Sequence, residues 1–456
     1  MPAPITNTTS VLSFPAFLTS YDPSDLPGAS LDPMGFERGY LHLADKLLPG
    51  LTNVADRPRY FSVLCAGTLL AKVDVTESPR RQAAERLQGL LRFERLWALA
   101  NVMASRRAGD SDTVLSGIRG VTYAISRANS LEQSGASRTD ASFPLLSRQV
   151  PYGAVGIYGA VADGMRFLDR RLLVLTPDLG ERLGQHFVEA TNMPPVLQRA
   201  VKNGSDVSVR QLADWGERAH IVNEYLPVEQ DCFREALHRD PVRSRMAECL
   251  EQCPVKKHGE SELNRLGRIV RTTRRQPLNR DLYEAGSTVL AFEETYRLIL
   301  LGFERLLWLC RNLPAASVTP ADINSDSVLQ LVSEQLPDVV GRLCQAADSA
   351  TSEQFCVEQH RLNDVLTFVR EAATACDSRL ELVESLIQRH TDVQRGKFDQ
   401  GRRKMPWLER VGDRISLTMT RVGGLNREAT SPDAVRPHEY RLPSADALIA
   451  SAEGRT

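Results

Sequence analysis

Two stretches restrict the fold more than any other feature. Residues 79–104, PRRQAAERLQGLLRFERLWALANVMA, place Leu87, Leu90, Leu91, Leu96 and Leu99 on one side of a 3.6-residue period, with Arg80, Arg81, Arg86 and Arg92 largely elsewhere. Residues 287–312, STVLAFEETYRLILLGFERLLWLCRN, form the most apolar helical stretch of the chain. As helices these segments would each run about 39 Å. Their apolar sides must be covered by other helices or by another subunit. Only 6% of residues are aromatic, so Leu, Val and Ala fill the core, which favours helix packing over a β-sandwich. The expected fold is mainly α and multi-helical. Phe93-Glu94-Arg95 and Phe303-Glu304-Arg305 recur late in the two stretches, which fits either two related helical halves or chance in a Leu/Arg-rich chain.

Punctuation divides the rest. Residues 1–32 read as an extended lead-in. Asp32-Pro33 and Ser78-Pro79 are cap-plus-proline helix starts, and Pro49-Gly50 is a stop. Residues 33–142 form an N-terminal helical domain that ends in the polar loop 129–142. Residues 143–200 form a small helix–strand–helix module, winged-helix-like, with Arg170-Arg171 ahead of the strand at 172–175. A C-terminal helical domain covers 201–391, and a basic segment with a polar tail covers 392–456.

Charges nearly cancel, at 56 Lys+Arg against 57 Asp+Glu, so no global basic excess marks a dedicated nucleic-acid binder. Arg greatly outnumbers Lys, which suits bidentate contacts and also follows from a GC-rich bacterial genome. The eight cysteines, at 65, 232, 249, 253, 310, 344, 356 and 376, are scattered and read as reduced core residues. Neither an apolar run of membrane-spanning length nor a signal peptide is legible, so the expected location is the cytoplasm, with no membrane partner.

Chemical motifs are sparse. Cys249, Cys253 and His258 could open a zinc site, but no second Cys/His pair follows, and Cys249 and Cys253 lie one helical turn apart, as core residues would. Gly153-x2-Gly156-x2-Gly159 is not a dinucleotide fingerprint; such glycines let another helix approach closely. His360 and His390, with Asp364 and Glu384 near them in sequence, read as solvated or core residues. No P-loop, H-E-x-x-H or G-x-S-x-G is present. These signals imply no catalytic residue, cofactor or metal.

Two basic clusters carry the functional signal. The first is Lys256, Lys257, Arg265, Arg268, Arg271, Arg274, Arg275 and Arg280, with Arg268, Arg271 and Arg275 on one helical face. The second is Arg395, Lys397, Arg402, Arg403, Lys404, Arg410 and Arg414, with Phe398 and Trp407 interleaved. Guanidinium groups for phosphates and aromatics for bases suit nucleic acid. A solvated face paired with acids is the alternative. The contact residues expected are Arg268, Arg271, Arg274, Arg275, Arg395, Lys397, Arg402, Arg403, Lys404 and Trp407. Separately, Arg57 and Arg59 open a helix, where the dipole disfavours cations. They need an anionic partner, for which Asp45 and Asp56 are the nearest candidates.

That stretch also carries a resemblance. Gly35, then Leu43-Ala44-Asp45-Lys46-Leu47-Leu48-Pro49-Gly50-Leu51-Thr52, then Arg57-Pro58-Arg59-Tyr60-Phe61, resembles a poorly characterised bacterial family. Its members share D-x-L-x-P-G-x-[ST] followed by [RT]-x-R-Y. Leu173-Val174-Leu175-Thr176-Pro177, the 395–407 segment and Tyr440-Arg441-Leu442 are similar in spirit. The resemblance implies a phage-defence or mobile-element setting and assigns no catalytic residue.

The expected function is a non-enzymatic component of a bacterial antiviral-defence or DNA-processing assembly, with DNA or RNA and other proteins of that assembly as partners. A protein–protein scaffold without nucleic acid is the second possibility. An enzyme whose site is formed by distant residues is the third. Oligomeric state is not legible.

Overall fold

A computed structural model describes residues 32–72, 78–110, 112–257, 259–313, 316–349, 360–399, 402–418 and 428–455. The fold is mainly helical, with few and short strands. The helices are α1 (Glu37–Leu47), α2 (Arg59–Leu70), α3 (Pro79–Ala108), α4 (Val121–Ser134), α5 (Gln149–Tyr152), α6 (Ala154–Gly164), α7 (Gly180–Ala190), α8 (Pro195–Asn203), α9 (Val209–Arg218), α10 (Pro227–His238), α11 (Pro241–Gln252), α12 (Glu262–Thr273), α13 (Arg280–Asn312), α14 (Pro320–Ser325), α15 (Ser327–Ser349), α16 (His360–Thr374), α17 (Arg379–Arg395) and α18 (Leu442–Ala452). The strands are β1 (Arg138–Thr139), β2 (Leu168–Asp169), β3 (Val174–Leu175), β4 (Val207–Ser208), β5 (Ser317–Val318), β6 (Phe398–Asp399), β7 (Arg402–Arg403), β8 (Leu408–Val411) and β9 (Arg414–Leu417). No helix of the described residues is long and apolar enough to cross a membrane.

Two compact units form, with boundaries inside α1 and α13. The larger takes Ala44–Tyr283 and Glu439–Thr456. Its centre is α2, whose sequence RYFSVLCAGTLL is apolar all round and therefore buried on every side. Glycines set its distance from its neighbours. A Cβ on Gly67 would sit 2.4 Å from Leu90 Cδ1 of α3, and one on Gly184 would sit 2.7 Å from the Cys65 carbonyl oxygen. The helix α3 begins with Ser78-Pro79 and stops at Gly109, whose φ of 75° is open to glycine without strain. Its leucine side lies in the core from Leu90 onward, and Trp97 donates through Nε1 to the Ala219 carbonyl at 2.7 Å.

The Gly153-Gly156-Gly159 run serves a different purpose from close helix packing. Glu94 is buried and accepts from the Ala154 amide at 2.6 Å and from Gln149 Nε2 at 2.7 Å, so a residue of α3 caps α6. A Cβ on Gly153 would lie 2.8 Å from that carboxylate, and one on Gly156 would strike the Pro151 carbonyl oxygen at 2.1 Å. Gly159 faces the Arg170 side chain. Burial raises the Glu94 carboxyl above its ordinary pKa, against the pull of those two hydrogen bonds.

The smaller unit takes the described residues of Met1–Leu43 and Glu284–His438. Its helical core is built on α13, α15, α16 and α17, beside an antiparallel sheet ordered β5-β9-β8. Phe36, Phe292, Tyr296 and Phe368 pack ring to ring. The strand-like run from Arg414 is present as β9.

Elsewhere, punctuation moved element ends. The loop expected from 129 starts later, because α4 runs to Ser134 and stops at Gly135, with φ 62°. The helix expected from 287 starts at Arg280, directly after a 3-10 turn at Pro277–Asn279.

Candidate nucleic-acid interface

The first basic cluster belongs to the larger unit and is organised by α12. Ser261 caps the helix through its hydroxyl, which accepts from the Asn264 amide at 3.2 Å. Leu266, Ile269, Val270 and Thr273 face inward. Arg265 is buried with them and is fully used. It pairs with Asp446 of α18 and donates to the carbonyls of Cys253 at 2.8 Å and Leu250 at 3.0 Å. Arg268 is also turned inward. It grips Glu260 at 3.0 and 2.9 Å and donates to the Pro254 carbonyl at 2.7 Å. That guanidinium holds the Glu260 carboxyl below its ordinary range.

One turn further the pattern ends. Arg271, Arg274 and Arg275 are exposed, and among the described residues none of their side chains makes a hydrogen bond or ion pair. Arg271 lies back over Gly267, at 3.6 Å from where a Cβ would stand. Lys256 and Lys257 are exposed as well. The expected contact set thus splits: Arg268 serves the fold, and Arg271, Arg274 and Arg275 remain outward.

The second cluster lies in the smaller unit and is also mixed. Arg395 is exposed at the end of α17, and among the described residues its side chain makes no hydrogen bond or ion pair. Lys397 donates to the Asp32 carbonyl, and burial lowers its ammonium pKa. Strands β6 and β7 pair as a hairpin with Phe398 opposite Arg403. Phe398 is 64% exposed, and the exposed Arg403 guanidinium stands 5.9 Å from its ring centroid. The Arg402 side chain lies outside the described residues. Lys404 is half-buried and donates its amide to the Lys397 carbonyl at 3.0 Å. Arg410 pairs with Glu384.

Trp407 faces the core instead of a base. It is 3% exposed and packs beside His390 and Phe303, with ring centroids at 5.0 and 6.0 Å. Its amide donates to His390 Nε2 at 2.9 Å, and His390 Nδ1 donates to the Pro33 carbonyl at 3.0 Å. Each ring nitrogen is thereby satisfied in the neutral form, and burial pulls the imidazole pKa down to about 4. His390 is a core histidine; the His360 side chain lies outside the described residues.

Of the two arginines at the start of α2, Arg59 meets a distant anion. Arg59 binds both oxygens of Glu229 at 2.8 Å, donates to the Asn223 and Glu224 carbonyls, and lies over Tyr225. Glu229 also accepts from Ser62 and from the Leu226 amide. The partner is therefore neither Asp45 nor Asp56, because the chain returns at α10 with a carboxylate aimed at the helix start. Asp45 pairs with Arg441, which also donates to the Leu48 carbonyl at 3.3 Å. Two stretches of the family-like pattern, 396 residues apart, meet in that pair. Arg57 is exposed; its carbonyl accepts from the Tyr60 amide at 3.0 Å, and among the described residues its side chain makes no hydrogen bond or ion pair.

Among the described residues, no group of three His, Cys, Asp or Glu side chains could hold a metal. Cys249 and Cys253 are buried, and His258 lies outside the described residues. Three clefts of the larger unit, of 360 to 760 Å3, set arginines beside one carboxylate each, Glu85, Glu132 and Asp56, and none is lined by a described histidine.

Sequence reasoning overlooked Leu278. It is 86% exposed in the turn that follows Arg275, and its only signal was a Pro-Leu pair between polar residues. Compared with models of protein families, with curated proteins and with solved structures, the chain matches none.

Proposed function

We propose that the chain is a non-enzymatic, cytoplasmic component of a bacterial antiviral-defence or DNA-processing assembly. It contacts DNA or RNA through arginines that the fold leaves unpaired, and works beside other proteins of that assembly. The observation that carries this proposal is the split of the first basic cluster. Arg265 and Arg268 are consumed by acids and carbonyls, while Arg271, Arg274 and Arg275 stand together in solvent without an acid. In a chain of nearly balanced charge, that local excess suits a row of phosphates, which accept bidentate guanidinium contacts. The exposed Phe398 with Arg403 is a second contact, a stacking ring beside a cation. Residues 143–200, which include α6, the β2–β3 hairpin and α7, are the winged-helix-like module in this proposal, with Arg170 and Arg171 exposed in the hairpin turn.

The test is an anisotropy titration of the purified chain with short single- and double-stranded DNA and RNA, at low and then physiological salt. Submicromolar binding that weakens steeply with salt is expected. No binding even at low salt would leave the chain a scaffold for an acidic protein partner.

A further inference from the structure

The turn after α12 holds an apolar side chain out in water. Leu278 is 86% exposed, against 65% for Met405 and 64% for Phe398, the next most exposed large apolar residues described. It cannot fold back easily, because the turn is fixed on both sides. Pro277 locks its own φ. The Gln276 amide donates to the Thr273 carbonyl at 2.9 Å, and the Asn279 amide donates to the Gln276 carbonyl at 3.0 Å. Asn279 Nδ2 is also bonded to Gln276 Oε1. The leucine thus sits on a braced 3-10 turn, three residues beyond Arg275.

A single leucine is too little apolar surface for a stable protein interface or a membrane anchor. It is enough for a wedge between neighbouring base pairs, where one apolar side chain enters a step that flanking cations hold in place. We propose that Leu278 is such a wedge. It inserts between adjacent bases of duplex DNA whose phosphates are gripped by Arg271, Arg274 and Arg275. This rests on the nucleic-acid contact proposed above and adds a mode of engagement: the duplex is locally unstacked and kinked at the bound step.

The test uses the full chain and short duplexes with 2-aminopurine placed at successive positions, whose fluorescence rises when its neighbours unstack. A rise of several-fold at one or two positions is expected on binding. Leu278→Ala should abolish the rise while lowering affinity by no more than about fivefold, because the phosphate contacts persist. R271Q/R274Q/R275Q should instead lose affinity. Tight binding without a rise at any position, or a full rise with Leu278→Ala, would overturn the wedge and leave the arginine contact standing. Failure of the unaltered chain to bind duplex DNA would overturn the wedge, and failure to bind any single- or double-stranded DNA or RNA would overturn both. Leu278-dependent binding to phosphatidylserine vesicles but not to DNA would replace the wedge with a membrane contact.

Discussion

The two basic stretches, 256–280 in the larger unit and 395–414 in the smaller, look alike as sequence and divide differently as structure. In the first, the division follows position along one helix. The start of α12 spends its arginines on Asp446 and Glu260, and its end leaves three arginines outward. In the second, the division follows chemistry. The large aromatic and the lysine turn inward, as Trp407 against His390 and Lys397 against Asp32. The smaller aromatic and its arginine stay outside, as Phe398 and Arg403. A run of cations is therefore two populations, one holding the fold and one available to a partner. Which is which depends on whether an acid or a carbonyl comes back in space to meet the side chain.

That contrast can be broken by mutation. The largest effect should come from Trp407→Ala, which empties a closed site and should cost about 3–5 kcal/mol in chemical denaturation. A loss under about 1 kcal/mol would mean that Trp407 is not a core residue. Arg265→Ala comes next. It strands Asp446 and two backbone carbonyls, and a loss of about 3 kcal/mol is expected, at the lower end for a broken buried pair because Asp446 is partly exposed.

The inward half of the second stretch should also show itself in pH. His390 is held neutral with its pKa near 4, while the unfolded chain takes up that proton near 6.5. Unfolding then gains a proton between these values. The contribution is complete above about pH 6.5 and shrinks as pH falls towards 4, by about 3 kcal/mol over the window. A His390→Asn variant should lose most of that slope, which denaturation series across pH 4–7 would show. The smallest effect belongs to the outward half. Phe398→Ala should leave stability within about 0.5 kcal/mol and weaken single-strand binding by about 1 kcal/mol, read by anisotropy. Unchanged binding would remove the hairpin from the interface.

Much of the helical framework was legible locally. The apolar sides of 79–104 and 287–312 and the Ser78-Pro79 start led directly to α3 and α13. Element ends were less legible where glycines intervened, as at Gly120 and Gly135 around α4. The site was half legible. Sequence located the basic residues but could not sort them, since Glu229 meets Arg59 from 170 residues away and Asp446 meets Arg265 from 181. No local pattern encodes such returns. Each compact unit also draws on separated stretches of chain, which composition along the sequence does not reveal.

The most direct test of the outward population compares the salt dependence of DNA binding in the unaltered chain and in R271Q/R274Q/R275Q. Three lost phosphate contacts should weaken binding and flatten the log–log salt slope for duplex DNA by about 3, with stability unchanged within about 0.5 kcal/mol. An unaltered affinity and slope would contradict the assignment of these arginines to a nucleic-acid partner.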